Sequence, residues 1–139
     1  MATVLFVCLH NAGRSQMSAA LFERAAADRH LALSAGSEAD PGGHVQPQVI
    51  EVMGELGIDL SGRRPQRLNR SLAERADVVV TMGCGDACPF IPGKRYLEWK
   101  LEDPKGRPLE EVRATREDIG RRVDALLQEL DTGLSAPGH

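Results

Sequence analysis

The sequence is poor in cysteine, with three in 139 residues, and it has neither an excess of positive charge nor a long apolar run. An odd number of so few thiols does not build a structural disulfide framework. It leaves them free, metal-binding or redox-active, as in a reducing compartment. With 17 Lys and Arg against 20 Asp and Glu, the formal net charge is −3, which removes the electrostatic ground for a nucleic-acid partner. The small basic cluster of Arg63, Arg64 and Arg67 reads as a solvated loop. No apolar stretch approaches the ~18 residues of a membrane span. The first apolar run is short, has no basic residue ahead of it and is not followed by a signal-peptidase site. A cytoplasmic protein without membrane contact is therefore expected. What is present, 42% hydrophobic and 27% charged residues, is ordinary for one globular domain of this length.

Periodicity organises the chain as alternating strands and helices. Residues 3–7 and 78–80 are continuously apolar and rich in β-branched residues, the pattern of central parallel strands buried on both faces. A second short strand covers residues 31–35. Leu97, Trp99 and Leu101 alternate with charged residues, which predicts a half-exposed edge strand ending at Asp103-Pro104. Helices are expected over 15–28, from Pro47 to Gly57, over 71–76 behind a Ser71/Glu74 capping box, and from a Thr115 cap through Leu130. The fold class is α/β, a three-layer, four-stranded parallel sheet in the order 2-1-3-4 flanked by helices. Residues 1–131 form the single domain, and the tail 132–139 is expected to be disordered. No apolar helix face is left over, so a monomer is expected.

The stretch Val7-Cys8-Leu9-His10-Asn11-Ala12-Gly13-Arg14-Ser15 lies between a buried strand and a helix start, at the sheet edge where such folds bind ligands. That place supplies converging backbone N–H groups and the positive end of a helix dipole. Both favour an anion, either a bound oxyanion or the thiolate itself. Arg14 adds a planar fork for two oxyanion oxygens. The Ser15 hydroxyl can donate to a Cys8 thiolate and stabilise it. Leu9, His10, Asn11, Ala12, Gly13 and Arg14 are the candidate oxyanion ligands. A bare Cys-x5-Arg is a weak pattern, since a small buried hydrophobe and an exposed arginine would write the same letters. Its strand–loop–helix setting makes it informative.

Two further features sit downstream. If Cys8 displaces an oxygen from the oxyanion, the leaving oxygen needs a proton, and Asp103 at the exit of a strand on the same sheet edge can give it. An isolated Asp-Pro otherwise only begins a turn. Cys84 and Cys88, just beyond the third strand, are open to three readings. A zinc site would need about four ligands, and His10, His30, His44 and His139 have no ligand-like spacing, so no metal is assigned. Inert loop thiols and a redox-active pair are the other two.

Together these residues resemble the low-molecular-weight protein tyrosine phosphatase superfamily across essentially the whole chain. Cys8 to Ser15 is similar to its phosphate-binding loop, Asn11 to the asparagine that shapes that loop, and Asp103-Pro104 to its late Asp-Pro, whose aspartic acid is the general acid. Two positions depart from the pattern: His10 replaces a glycine and Gly13 a residue that is commonly cysteine. Cys84-x3-Cys88 resembles the redox pair of the thioredoxin-coupled arsenate reductases built on this fold. The segment between Cys84 and Asp103 has Tyr96 as its one tyrosine, where phosphatases of the family usually carry several. The resemblance implies arsenate as substrate, no tightly bound cofactor and thioredoxin as reductant. It also implies a relay of disulfides, Cys8–Cys84 followed by Cys84–Cys88. A phosphatase, or a reductase coupled to mycothiol, is the alternative. The acidic cation ligand expected eleven residues after the nucleophile is Ala19, so no monovalent cation is assigned. The relay is within reach: neighbouring strands lie about 4.8 Å apart and extended chain covers roughly 3.3 Å per residue. Gly83 and Gly85 would give its loop backbone freedom.

Overall fold

The computed structural model describes residues 1–83 and 93–132. Its framework is a four-stranded parallel sheet in the order β2-β1-β3-β4. The strands are β1 (Thr3–Cys8), β2 (Leu31–Gly36), β3 (Val78–Met82) and β4 (Arg95–Glu98), and the helices α1 (Arg14–Ala26), α2 (Pro47–Gly54), α3 (Arg70–Arg75) and α4 (Leu109–Thr132). The order and class are those expected from the sequence. Cys8, Gly36 and Met82 share one register row, so β1, β2 and β3 end together at a single edge.

Side chains alternate across a strand. Val4, Phe6 and Cys8 therefore enter one core with Phe22, Met53, Ile119 and Val123, drawn from α1, α2 and α4. Leu5 and Val7 enter the other with Val79, Leu72 and Ala73, under α3. The period of two thus decides which side receives the Cys8 thiol: the side covered by α1. No helix among the described residues is long and apolar enough to cross a membrane.

Several boundaries differ from the sequence expectation, each for a local reason. The edge strand runs Arg95–Glu98 rather than through Leu101, because its neighbour β3 stops at Met82. Trp99 donates one last backbone bond to the Thr81 carbonyl (2.9 Å) and turns its ring onto Phe6, with centroids 5.7 Å apart. Trp99 and Leu101 alternate with charged residues because they cover the core's edge, with no ladder involved. Helix α4 starts at Leu109, after Pro108, and buries Val112 in its added turn. Thr115 does not cap it: its hydroxyl donates back to the Glu111 carbonyl, 3.2 Å. Its far end reaches Thr132, because Asp131 is held by Arg29 (2.9 Å) and His30 (2.8 Å). The remaining tail, 133–139, lies outside the described residues. The cap of α3 is Asn69, whose side chain accepts from Leu72 N–H (2.9 Å), rather than Ser71; Glu74 pairs with Arg70 at 2.7 Å. Helix α2 ends at Gly54, and Gly57, at φ 79°, closes the turn after it.

α2 and α4 are clasped by one carboxylate. Glu55, just past α2, accepts from Arg113 (2.7 Å) and Arg116 (2.8 Å). The hydrogen bonds from Arg113, then Arg116, hold its carboxyl at about 2, below the ordinary 4.5. A depressed folded-state value means stability that is complete above about 4.5 and is lost as pH falls through about 2. Glu55→Gln is expected to lower Tm at pH 7. The gap from wild type should narrow steadily below pH 4.5 in a thermal denaturation series; a gap independent of pH would contradict the clasp.

Candidate active site

The loop after β1 is shaped by Asn11, a buried non-glycine residue at φ 55°. Left-handed backbone is unfavourable for residues other than glycine, and Asn tolerates it best when its short side chain finds local partners. Asn11 finds several. Its Oδ1 accepts from the Gln66 backbone N–H (2.7 Å), a group that can only donate, so the amide orientation is fixed. Nδ2 must then face Ser15, donating to Oγ at 2.7 Å. The Ser15 hydroxyl lies 2.9 Å from Cys8 Sγ. With its oxygen engaged by Asn11, its proton is free to point at sulfur. The Asn11 backbone N–H also donates to Sγ, 3.2 Å. Two donors thus converge on a sulfur only 2% exposed.

The loop's carbonyls point away from this centre. Ser37 N–H donates to Cys8 O (3.1 Å), Glu38 N–H to Leu9 O (2.7 Å) and Gln46 N–H to Ala12 O (2.8 Å). With the carbonyls tied outside, the N–H groups of Ala12, Gly13, Arg14 and Ser15 have no acceptor among the described residues. They form a concave set of donors at the start of α1, where the helix dipole adds positive potential. Gly36 makes room: a Cβ there would stand 2.7 Å from Asn11 N and from the His10 carbonyl carbon.

Arg14, the first residue of α1, projects over this concavity. It is 9% exposed, donates from Nη1 to the Leu101 carbonyl (3.3 Å), and brings Nη2 to 3.9 Å from Asp103 Oδ2. Gly83, at φ 91°, lies against it, since a Cβ there would meet Nη1 at 2.7 Å. Asp103 is anchored from two sides. Its Oδ1 accepts from Lys105 N–H (3.0 Å), and the Pro104 ring rests where a Gly13 Cβ would be, 2.8 Å away. Gly13, the departure from the expected loop pattern, is therefore the position that lets Asp-Pro close onto the loop. The Asp103 side chain remains 43% exposed, open to proton exchange with solvent.

The structure therefore brings together Cys8, Asn11, Gly13, Arg14, Ser15 and Asp103. Leu9 and Ala12 contribute backbone. His10 is exposed, with its ring 3.5 Å from the Glu38 carbonyl. Cys84 and Cys88 lie outside the described residues. No cluster of three or more His, Cys, Asp or Glu suited to a metal occurs among the described residues. Sequence reading did not find Gln16, Gly36 or Gln66, and it names Pro104 only within the Asp-Pro pair, without its seat on Gly13. Gly36, next after the expected strand 31–35, carries a signal only in being glycine; Gln16 and Gln66 act through amide and backbone bonds that leave no pattern in one sequence. Chemically, the arrangement can hold a tetrahedral oxyanion, attack it with sulfur and deliver a proton from one side.

Gly36→Ala is expected to destabilise the protein by about 1–3 kcal/mol, the range for overpacking a filled site. Because the clash falls on the backbone of His10 and Asn11, oxyanion affinity should drop with it. Calorimetric titration of phosphate, together with denaturant unfolding, checks both; unchanged phosphate affinity would refute the contact.

Comparison with known proteins places this geometry. The profile of the low molecular weight phosphotyrosine protein phosphatases matches residues 3–136. A Halobacterium salinarum protein provisionally named an arsenate reductase is 42% identical over 131 residues, 91% of this chain and 91% of its own length. A solved thioredoxin-dependent arsenate reductase from Corynebacterium glutamicum superposes with a TM-score of 0.82 at 37% identity, covering 96% of this chain, which spans 63% of that one. An arginine phosphatase from Geobacillus stearothermophilus superposes with a TM-score of 0.83 at 27% identity, over 100% of this chain and 99% of that one. By its profile match and its sheet order, the chain belongs to the low molecular weight phosphotyrosine protein phosphatase family.

Proposed function

We propose that the protein is a cytoplasmic arsenate reductase regenerated by thioredoxin. The observation that carries the reading is the Cys8 cradle, in combination with the Cys84/Cys88 pair in the sequence. Hydrolysis of a phosphate ester uses one thiol; three thiols in one chain are accounted for by electron transfer. The arsenate reductases among its relatives support it. The equally good superposition on an arginine phosphatase means that the fold supports neither reading over the other.

The reaction runs as follows. Arsenate binds in the N–H concavity with two oxygens on the Arg14 guanidinium. The Cys8 thiolate, held by Ser15 and Asn11, attacks arsenic, and an oxygen leaves as water with the proton of Asp103. The Cys84 thiolate then attacks Cys8 Sγ. The electron pair of the sulfur–arsenic bond goes to arsenic, which leaves as arsenite in the trivalent state, and a Cys8–Cys84 disulfide remains. Cys88 attacks Cys84 and releases the Cys8 thiolate, and the Cys84–Cys88 disulfide takes two electrons from the thioredoxin dithiol. The register supports the reach this requires. Met82 is the row partner of Cys8 on the adjacent strand, and Cys84 follows two positions later in sequence. The domain 1–131 acts as a monomer on this reading.

The test is a coupled assay with arsenate, thioredoxin, thioredoxin reductase and NADPH. Arsenate-dependent NADPH oxidation is expected. Its absence alongside rapid aryl phosphate hydrolysis would assign the chain to the phosphatases. Oxidation with mycothiol but not with thioredoxin would change the reductant alone. Within the same assay, Cys88→Ser is expected to release one equivalent of arsenite and stop, with the Cys8–Cys84 disulfide found by peptide mass mapping. Continued turnover by that variant would contradict the relay order.

A further inference from the structure

We infer that Gln16 is a positioning residue for the Cys8 thiol, acting through Asn11 and Ser15. Gln16 sits in the first turn of α1, where a polar side chain would ordinarily face solvent, yet it is 2% exposed. Its Nε2 lies within hydrogen-bonding distance of three oxygens: Asn11 O (3.2 Å), Asn11 Oδ1 (3.1 Å) and Arg64 O (3.1 Å). Two of these are backbone carbonyls, which can only accept, so the amide must present its nitrogen to them. The opposite atom, Oε1, is then buried with no partner. Leaving an acceptor unsatisfied is unfavourable. A side chain whose job was only to fill space would be apolar here and would leave no orphaned acceptor.

What the nitrogen holds explains its presence. It grips the main-chain carbonyl and the side-chain oxygen of the one left-handed residue in the loop. Its bond to Arg64 O also ties down the segment that supplies the Gln66 N–H. Gln16 and Gln66 together fix Asn11 Oδ1. That leaves Nδ2 for Ser15, and through Ser15 the hydroxyl proton for Cys8. With the donor removed, Asn11 keeps its amide bond to Gln66 but is free to relax its backbone, which draws its N–H and, through Nδ2, the Ser15 hydroxyl away from the Cys8 sulfur.

The inference rests on Cys8 being the reactive thiol and on nothing about arsenate. Its test is the alkylation rate of Cys8 by iodoacetamide at pH 7, in the full chain carrying Cys84→Ser and Cys88→Ser so that one thiol reports. Gln16→Met, which keeps the length and removes the donor, is expected to slow alkylation about tenfold. Gln16→Asn, a milder change that draws the amide back, should slow it less. In a Ser15→Ala background the effect of Gln16→Met should shrink to less than twofold, because its path to sulfur has already been cut. A merely structural role predicts the reverse sign, since loosened packing exposes a buried thiol and speeds its alkylation. Unchanged or faster alkylation in Gln16→Asn, or an undiminished effect of Gln16→Met beside Ser15→Ala, would overturn the inference. Either result leaves the arsenate assay to be judged separately.

Discussion

The site depends on one backbone torsion. Asn11 at φ 55° turns the chain after β1 so that its N–H meets the Cys8 sulfur while the following amides line the concavity. A left-handed non-glycine residue is unfavourable by about 1–2 kcal/mol, and a loop free in solution would abandon it. Here it is held by the bonds its amide makes with Gln66, Gln16 and Ser15, and by a glycine beneath it at position 36 where any side chain would collide. The choice of Asn over Gly follows from the same bonds. Glycine would adopt the torsion more readily but would leave Ser15 without a donor, and so leave its proton free to turn away from sulfur.

The scaffold brings the other groups to this torsion by topology. Strands β1, β2 and β3 finish in one register row, so the loop after β1, the turn after β2 and Gly83 after β3 crowd the same edge. The turn after β2 ties the loop's carbonyls, and Gly83 permits the Arg14 guanidinium to lie across the mouth. Asp103 arrives last, from beyond β4, seated by Pro104 on Gly13. Each contact closes a large sequence separation, so local change at a strand end transmits directly to the thiol.

Much of this was legible in the sequence because it is written in period and residue type. Val4 to Cys8 and Val78 to Val80 announced central strands, and a thiol leaving such a strand toward an arginine at a helix start located the loop. Helix limits were misjudged where tertiary partners override local signals. Thr115 has the chemistry of a cap, but Pro108 and the buried Val112 draw α4 further back. Trp99 keeps a strand's alternation after its ladder has run out of partner. Gln16 was invisible for a different reason. A buried amide in a helix's first turn looks like any surface glutamine until the three oxygens it faces are in place, one of them on Arg64, forty-eight residues away in sequence.

The cradle itself does not choose between hydrolysis and reduction. Phosphate and arsenate are both tetrahedral oxyanions, and on the proposed reading the N–H groups, Arg14 and Asp103 would serve either one through the first attack. The outcomes diverge only afterwards, when the sulfur-bound intermediate meets either water at the oxyanion or a second thiol at sulfur. Cys8 is almost fully buried on the α1 side of the sheet, and its sulfur is flanked by Ser15 and Asn11. In the proposed relay the second thiol would reach the sulfur from a side that Ser15 and Asn11 leave open. Gly83 lies against Arg14, and the next residue in the chain is Cys84. On the proposed reading, a guanidinium drawn onto an oxyanion would shift against Gly83 and so link occupancy of the cradle to the chain that leads to Cys84.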